Sequence, residues 1–374
     1  MMIYDVWLQC ALGFGNKRLK NALESFGSSK AIFDADENFL KNSGVFSEGD
    51  LSKLKATTLK DAQNLIADCN KRKINIITIS DNNYPLCLKK IASPPIVLYY
   101  RGKLPDFNNI PSISVVGPRE ISEYGAKCAF SLGLRLARAG IIVVSGGAKG
   151  GDKKAHIGAL SVGGITVAVL GCGLDYPYLP ENNKMRKDIL NGNGCIISEF
   201  PPMHPAGKST FPIRNRIMAG LSLGVVVTEA KKKSGCLNTA NHALEQGRDV
   251  FVVPGRPGDI NCEGSNELLR DGAIPLLSAM DIFNEYLAQF PDKINIEAAF
   301  TPDNRKAEQK NNQKLKSDLS KIAKMVYNNL NTQIFSFDDV YIEGISSGEV
   351  IAAFTELELL GYIKAVPGGR YIKK

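Results

Sequence analysis

A chain of 374 residues holds material for two or three hydrophobic cores, and its 44% apolar and 22% charged residues exclude a disordered or fibrous class. The longest apolar runs are strand-sized, which excludes a membrane-spanning helix. A formal net charge of +8 is compatible with a polyanionic partner without demanding one, so the placement of the charges has to decide.

Residues 1–72 carry apolar positions at helical spacing, broken at Gly13-Phe14-Gly15, Gly27-Ser28-Ser29 and Ser43-Gly44. The pattern predicts a small separate helical domain, SAM-like or helix-hairpin-helix-like. Its first break, Leu12-Gly13-Phe14-Gly15-Asn16-Lys17, fits two readings. One is a helix-hairpin-helix turn whose backbone N–H groups hold a DNA phosphate, and the other is a plain helix–helix turn. The first residues show no basic stretch ahead of an apolar run and no small-residue cleavage site, so no secretory signal is expected and the expected compartment is the cytoplasm.

From residue 73 to 287 short β-branched runs alternate with amphipathic stretches. After lead-in runs at 74–78 and 96–100, strand-like segments fall near 112–116, 141–144, 165–170, 195–198, 224–228, 250–253 and 274–277. Continuous apolar strands separated by helices predict the α/β class: a doubly wound, Rossmann-like parallel sheet covered on both faces, because a parallel strand needs a crossover to return. Residues 288–318 are polar and lysine-rich and read as a linker. In 319–374, two helical stretches (319–330 and 348–360) precede a strand pair, 362–366 and 370–373, around Pro367-Gly368-Gly369, the order of a winged-helix domain.

In an open parallel sheet, ligands bind at the carboxyl ends of the strands, where glycine-rich turns aim backbone N–H groups at an anion. Those ends here are Gly117-Pro118-Arg119, then Ser145-Gly146-Gly147-Ala148-Lys149-Gly150-Gly151-Asp152, then Gly171-Cys172-Gly173; the segment Lys208-Ser209-Thr210-Phe211-Pro212-Ile213-Arg214-Asn215-Arg216 follows Ser198-Glu199-Phe200-Pro201. A P-loop is disfavoured because Asp152 stands where its phosphate-binding lysine belongs, and a dinucleotide fold because neither G-x-G-x-x-G nor the acidic strand end is present. Several cations with an aromatic among them, Phe211, suit a run of phosphates and a stacked base. Each member also has a plainer role: Asp152 as a helix cap, Phe211 as core, His156 as a packed side chain, Arg214 and Arg216 as partners of Glu199 or Glu229.

Ser145, Ser198, Glu199 and Glu229 lie near strand ends without a histidine beside them, so no catalytic residue is assigned. The eight cysteines form no C-x-x-C pair and the three histidines have no ligand spacing; reduced, mostly buried thiols are expected, with no metal and no cofactor.

The ordered series from Val115-Val116-Gly117-Pro118-Arg119 through Ser145–Asp152 with His156, Gly171-Cys172-Gly173-Leu174-Asp175, Ser198-Glu199-Phe200-Pro201, Phe211-Pro212-Ile213-Arg214-Asn215-Arg216 and Ser234-Gly235 to Pro254-Gly255 resembles the DNA-processing protein A family, DprA or Smf. The resemblance covers roughly 75–285. It implies a non-catalytic homodimer that coats single-stranded DNA and helps load the RecA recombinase during natural transformation and homologous recombination, with no membrane association. The candidate DNA-binding set is Gly117, Arg119, Ser145, Gly146, Lys149, Gly150, Lys208, Phe211, Arg214, Asn215 and Arg216. The chain departs from the usual Ser-Gly-Leu-Ala-Arg-Gly-Ile-Asp loop by Gly147, Lys149 and Gly151, which keeps the charge, loses the bidentate fork and is expected to loosen the loop.

A competing function is a nucleotide- or nucleoside-phosphate-processing enzyme of the lysine-decarboxylase-like group. Against it, Pro254-Gly255-Arg256-Pro257 does not resemble that group's Pro-Gly-Gly-x-Gly-Thr-x-x-Glu pattern. A sequence-specific winged-helix regulator is weakened by residues 346–361, which hold Glu349, Glu356 and Glu358 but no Lys or Arg.

Overall fold

The computed structural model describes residues 1–301, 319–330, 335–366 and 370–373. The chain divides into two compact units, Met1–Phe300 and Thr301–Lys374.

In the first unit, six helices (Met2–Leu12, Arg18–Phe26, Ser29–Asp34, Glu37–Asn42, Glu48–Ala56 and Leu59–Lys71) precede the sheet. Polar side chains start several of them: Ser47 and Asp50 form a reciprocal capping box, as do Thr58 and Asp61. The boundary expected at residue 72 separates two sequence patterns and not two compact units. Val6, Leu8, Leu12 and Leu19 share one buried core with Val97, Tyr99 and Ile217. Gln9 is the physical reason: it faces this core, and its amide finds partners only on the sheet side. It donates to the carbonyls of Val97 (3.2 Å) and Glu199 (3.3 Å) and accepts from the Tyr99 hydroxyl (2.8 Å).

The nine strands are β1 (Asn75–Thr78), β2 (Val97–Gly102), β3 (Ser112–Val116), β4 (Ile142–Ser145), β5 (Thr166–Leu170), β6 (Cys195–Ser198), β7 (Gly224–Val227), β8 (Asp249–Val252) and β9 (Ile274–Pro275). They lie in the order β1-β2-β6-β5-β4-β3-β7-β8-β9. From β3 onward every pairing is parallel, for example Ser114 with Val144 and Val115 with Val226. The two lead-in strands form an antiparallel edge, β2 against β6 and β1 against β2. All residues of β3, β4, β5, β6 and β7 are buried, as expected when helices cover both faces. Two of those helices, Glu123–Arg138 and Gly151–Leu160, pack backbone to backbone, since a Cβ at Gly133 or Gly158 would run into the carbonyl of Ala155 or Phe130.

The chain steps outward from β3 to β4, β5 and β6, then returns to place β7 on the other side of β3. Between the carboxyl ends of β3 and β7 the strand order reverses, the position at which doubly wound sheets open a binding crevice.

The expected linker starts later than 288. Ile294 and Ala299 are buried, the helix Ile296–Phe300 packs on the unit, and the Arg135 guanidinium sits 4.5 Å from the Phe300 ring centre. The remainder of the expected linker, 302–318, and the expected turn at 367–369 lie outside the described residues.

The second unit contains the helices Lys321–Asn329 and Ser347–Leu359 and a hairpin of β10 (Ile363–Val366) and β11 (Arg370–Lys373), joined around Val326, Val350, Phe354, Leu357 and Ile363. Glu349 completes a capping box with Ser346, and Glu356 accepts 2.7 Å hydrogen bonds from the Ser320 amide and hydroxyl. Two of the three acidic residues read from this helix thus have structural work within the unit.

Candidate nucleic-acid interface

A cleft of about 720 Å³ opens at the switch point. Its floor is set by how two loops meet. The turn after β3 and the loop after β4 approach so closely that a Cβ on Gly151 would stand 2.5 Å from the Gly117 Cα. The Gly151 amide donates to the Pro118 carbonyl at 3.1 Å. Gly147 and Gly150 take φ of +65° and +84°, which a side chain would strain. The loop is pinned, contrary to the looseness its extra glycines suggest. Asn182 donates to the Gly147 carbonyl (3.0 Å) and the Ala148 amide donates to Asp152 (3.3 Å). Ser145 is buried and spends its hydroxyl on the Val115 carbonyl, 2.6 Å away.

Arg214 holds this loop from beneath. It projects from the helix Thr210–Leu221, is only 6% exposed, and places Nη1 2.6 Å from the carbonyls of both Gly146 and Val169, while Nε donates to Asn215 at 3.1 Å. Asp152, in the first turn of its helix after Gly150 at the cap, faces the same space. Burial pushes the Asp152 carboxyl up, opposed by Arg214 and by the Ala148 and Gly117 amides; burial likewise pulls the Arg214 guanidinium down.

Around the mouth stand exposed cations: Arg119 from the β3 turn, Lys208 from the segment after β6, and Lys231 and Lys233 from the β7 end. Phe211, half-buried among them, lies near two guanidinium groups, with Cζ of Arg119 at 5.2 Å and of Arg214 at 5.9 Å from its ring centre. Tyr178 backs the ring at 5.7 Å and accepts a 3.0 Å hydrogen bond from Arg119. Gly171 makes room, since a Cβ there would meet the Phe211 ring at 2.8 Å.

Of the residues read from the sequence, the structure brings Gly117, Arg119, Lys208, Phe211, Arg214 and Asn215 to this cleft. Gly146 and Gly150 shape its adjoining loop, and Lys149 is exposed on that loop without lining the cleft. Arg216 goes elsewhere. Two residues from Arg214 on a helix, it faces nearly the opposite side, where it is 5% exposed and Nη2 lies 2.6 Å from both carboxylate oxygens of Glu199. Glu199 also accepts from the Gly15 amide at 3.2 Å, and the Phe14 ring packs 4.9 Å from Phe200. The turn read as a possible phosphate holder is therefore docked on the sheet unit, its Gly15 N–H already used. Glu229 caps the helix Glu123–Arg138 by accepting from the Ser122 amide at 3.0 Å. His156 is buried with Nδ1 2.7 Å from the Thr166 hydroxyl, and burial lowers its pKa to about 3. Among the described residues, no cluster of His, Cys, Asp and Glu is placed to hold a metal ion.

Ser234, part of the motif series read from the sequence, lines the cleft too, as do Lys231, Lys233 and Asn238, which the sequence reading did not single out. The signal was present: Lys231-Lys232-Lys233 directly follows the β7 end, under the same strand-end rule that found the other loops.

A doubly wound sheet that gathers cations and glycine-rich turns from separate crossovers around an open switch-point cleft defines a protein of the Rossmann class. The chain belongs to the DNA recombination-mediator protein A family, whose model matches residues 75–287. It is 41% identical over 215 residues to DNA processing protein DprA of Streptococcus pneumoniae, a stretch covering 58% of this chain and 75% of that one. An X-ray structure of DprA from Streptococcus pneumoniae superposes with a TM-score of 0.65 at 32% identity, covering 76% of this chain and 98% of that one. A structure of DNA processing protein A from Helicobacter pylori, described for its single-stranded DNA binding mode, gives a TM-score of 0.52 at 29% identity and covers 58% and 97%.

Proposed function

We propose that this chain binds single-stranded DNA along the switch-point cleft and, as a cytoplasmic homodimer, helps load a RecA recombinase onto it in natural transformation and homologous recombination, without catalysing a reaction. The observation that carries the DNA reading is the convergence of Arg119, Lys208, Lys231 and Lys233, from three separate crossovers, around the half-buried Phe211 ring. Cations spaced along an open cleft suit successive phosphates of one strand, and an aromatic among them offers a face to a base. In this reading Gly117, Gly146, Lys149 and Gly150 present the phosphate-facing loops, Ser145, Arg214 and Asn215 hold them in place, and Arg216 belongs to the fold. The Helicobacter pylori relative's single-stranded DNA binding supports the ligand class.

Ultraviolet cross-linking of thymine-containing single strands tests it. Adducts are expected in the peptide containing Phe211, lost in Phe211→Ala; adducts confined to the second unit would overturn it. Loading of recombinase is tested by whether the protein accelerates the single-strand-dependent ATPase of RecA on strands covered by a single-strand-binding protein, and the dimer by light scattering of the purified chain.

A further inference from the structure

The helix Thr210–Leu221 leaves the cleft with Phe211 and Pro212 in its wall, and the next residue, Ile213, meets the N-terminal turn. A Cβ at Gly15 would stand 3.2 Å from two carbons of Ile213, and Gly15 holds a φ of +64°, so turn and helix touch with no room for a side chain between them. The turn is held there by the Gly15 N–H on Glu199 (3.2 Å) and by Phe14, whose ring centre lies 4.9 Å from that of Phe200 and 5.1 Å from that of His204. Past the turn Lys17 is exposed, and the Lys20 ammonium lies 3.5 Å from the Lys90 carbonyl. Lys90 precedes Ile91, which abuts the far end of the same helix, since a Cβ at Gly220 would stand 3.0 Å from it. The N-terminal segment thus follows this helix from its first turn toward its last, a length of about 18 Å for 12 residues.

The chain segments that build this stretch of surface are free of acid. Residues 6–23, 82–103 and 200–228 contain no Asp or Glu. Glu199, at the edge of the last, is buried and paired with Arg216, and Asp50 is paired with Arg18. Lys17 and Lys90 are exposed and take part in no ion pair among the described residues. The geometry points to a second run of phosphate contacts: the strand bound in the cleft leaves it over Pro212 and continues across the docked turn, with further phosphates at Lys17, Lys20 and Lys90. This deepens the single-strand reading and rests on it. A flexible polyanion leaving an open cleft follows positive charge that no neighbouring carboxylate cancels, and each ammonium met on the way releases a counterion. The turn contributes through these side chains and not through its backbone, because the Gly15 N–H is already taken.

Salt-series titrations of the full chain test it. With a thymine strand of about sixteen nucleotides, Lys17→Ala combined with Lys90→Ala is expected to lower the slope of log affinity on log salt by about 1.4, the value for two phosphate contacts. The gain in affinity on lengthening the strand from about eight to about sixteen nucleotides is expected to shrink in the same variant, whereas Lys208→Ala, which alters the cleft itself, lowers the slope at both lengths. Both substituted lysines are exposed, and melting temperatures confirm folding. A slope unchanged by the double variant overturns the inference. So does a lowered slope with the lengthening gain intact, which would put both lysines against nucleotides already in the cleft. Failure of the unaltered chain to bind either strand would instead refute the single-strand reading itself.

Discussion

Arg214 and Arg216 lie two residues apart on one helix and serve opposite sides of it: the first grips the carbonyls of Gly146 and Val169 at 2.6 Å beneath the cleft, the second grips Glu199 at 2.6 Å toward the N-terminal helices. Both are buried, and neither is a free cation at the surface. The same motif thus sets the floor of the binding cleft on one face and ties the helical segment to the sheet on the other.

Arg214→Ala is expected to weaken single-strand binding while leaving the salt slope near its original value, because the guanidinium is buried, with Nη1 and Nε held beneath the loop by the Gly146 and Val169 carbonyls and by Asn215. Lys208→Ala should instead lower the slope of log affinity on log salt by about 0.7. Anisotropy titrations across a salt series separate the two. Arg214→Lys should restore little, since a single ammonium cannot reproduce the fork that reaches Gly146, Val169 and Asn215 together.

Removing Arg216 strands the Glu199 carboxylate in a site where the pair is 5% and 1% exposed. Arg216→Ala should destabilise the sheet unit by about 3–5 kcal/mol, read as a lowered denaturant midpoint. DNA affinity per folded molecule should change little, which distinguishes this arginine from its neighbour.

Lys231 and Lys233, at the β7 end, bring two more cations to the cleft. Lys231→Ala with Lys233→Ala should reduce the salt slope for single strands by about 1.4, twice the value for one phosphate contact. An unchanged slope would place these side chains outside the bound strand.

His156 makes stability depend on pH. Its folded pKa, about 3, lies below the ordinary value of 6.5, so the unfolded chain binds a proton that the folded chain refuses between those limits. Stability therefore falls as pH drops from 6.5 toward 3, by about 1.4 kcal/mol per unit from this group in the middle of the window. Between pH 6 and 5, where most carboxylates remain ionised, urea melts of the protein and of His156→Gln should show the slope in the first and its loss in the second.

The glycine-rich strand ends were readable because parallel strands, crossover helices and switch-point crevices leave a strict order of apolar runs and loops. Direction and facing were less so. Apolar periodicity does not encode whether β1 and β2 pair parallel or antiparallel to their neighbours, and they form an antiparallel edge. The divergence of Arg214 and Arg216 follows only once residues 210–221 are known to be helical. Pro212 hides that helix from a sequence reading, although in the first turn its missing N–H costs nothing. The start of the linker was misplaced because Ile294 and Ala299 are sparse apolar anchors in a polar stretch. The N-terminal helices read as a separate domain because the polar contacts that join them to the sheet, the buried Gln9 amide and the Gly15 N–H on Glu199, each come from a single residue in an otherwise ordinary helical pattern.

In the proposed function, cations from separate crossovers line one cleft and grip a flexible polyanion. The most direct measurement is the affinity of the unaltered chain for single-stranded DNA across a salt series, beside Arg119→Ala, Lys208→Ala and the triple variant adding Lys231→Ala. A steep negative slope that falls by about 0.7 for each cation removed is the predicted result. A shallow slope, or a steep one indifferent to all three positions, would contradict the account.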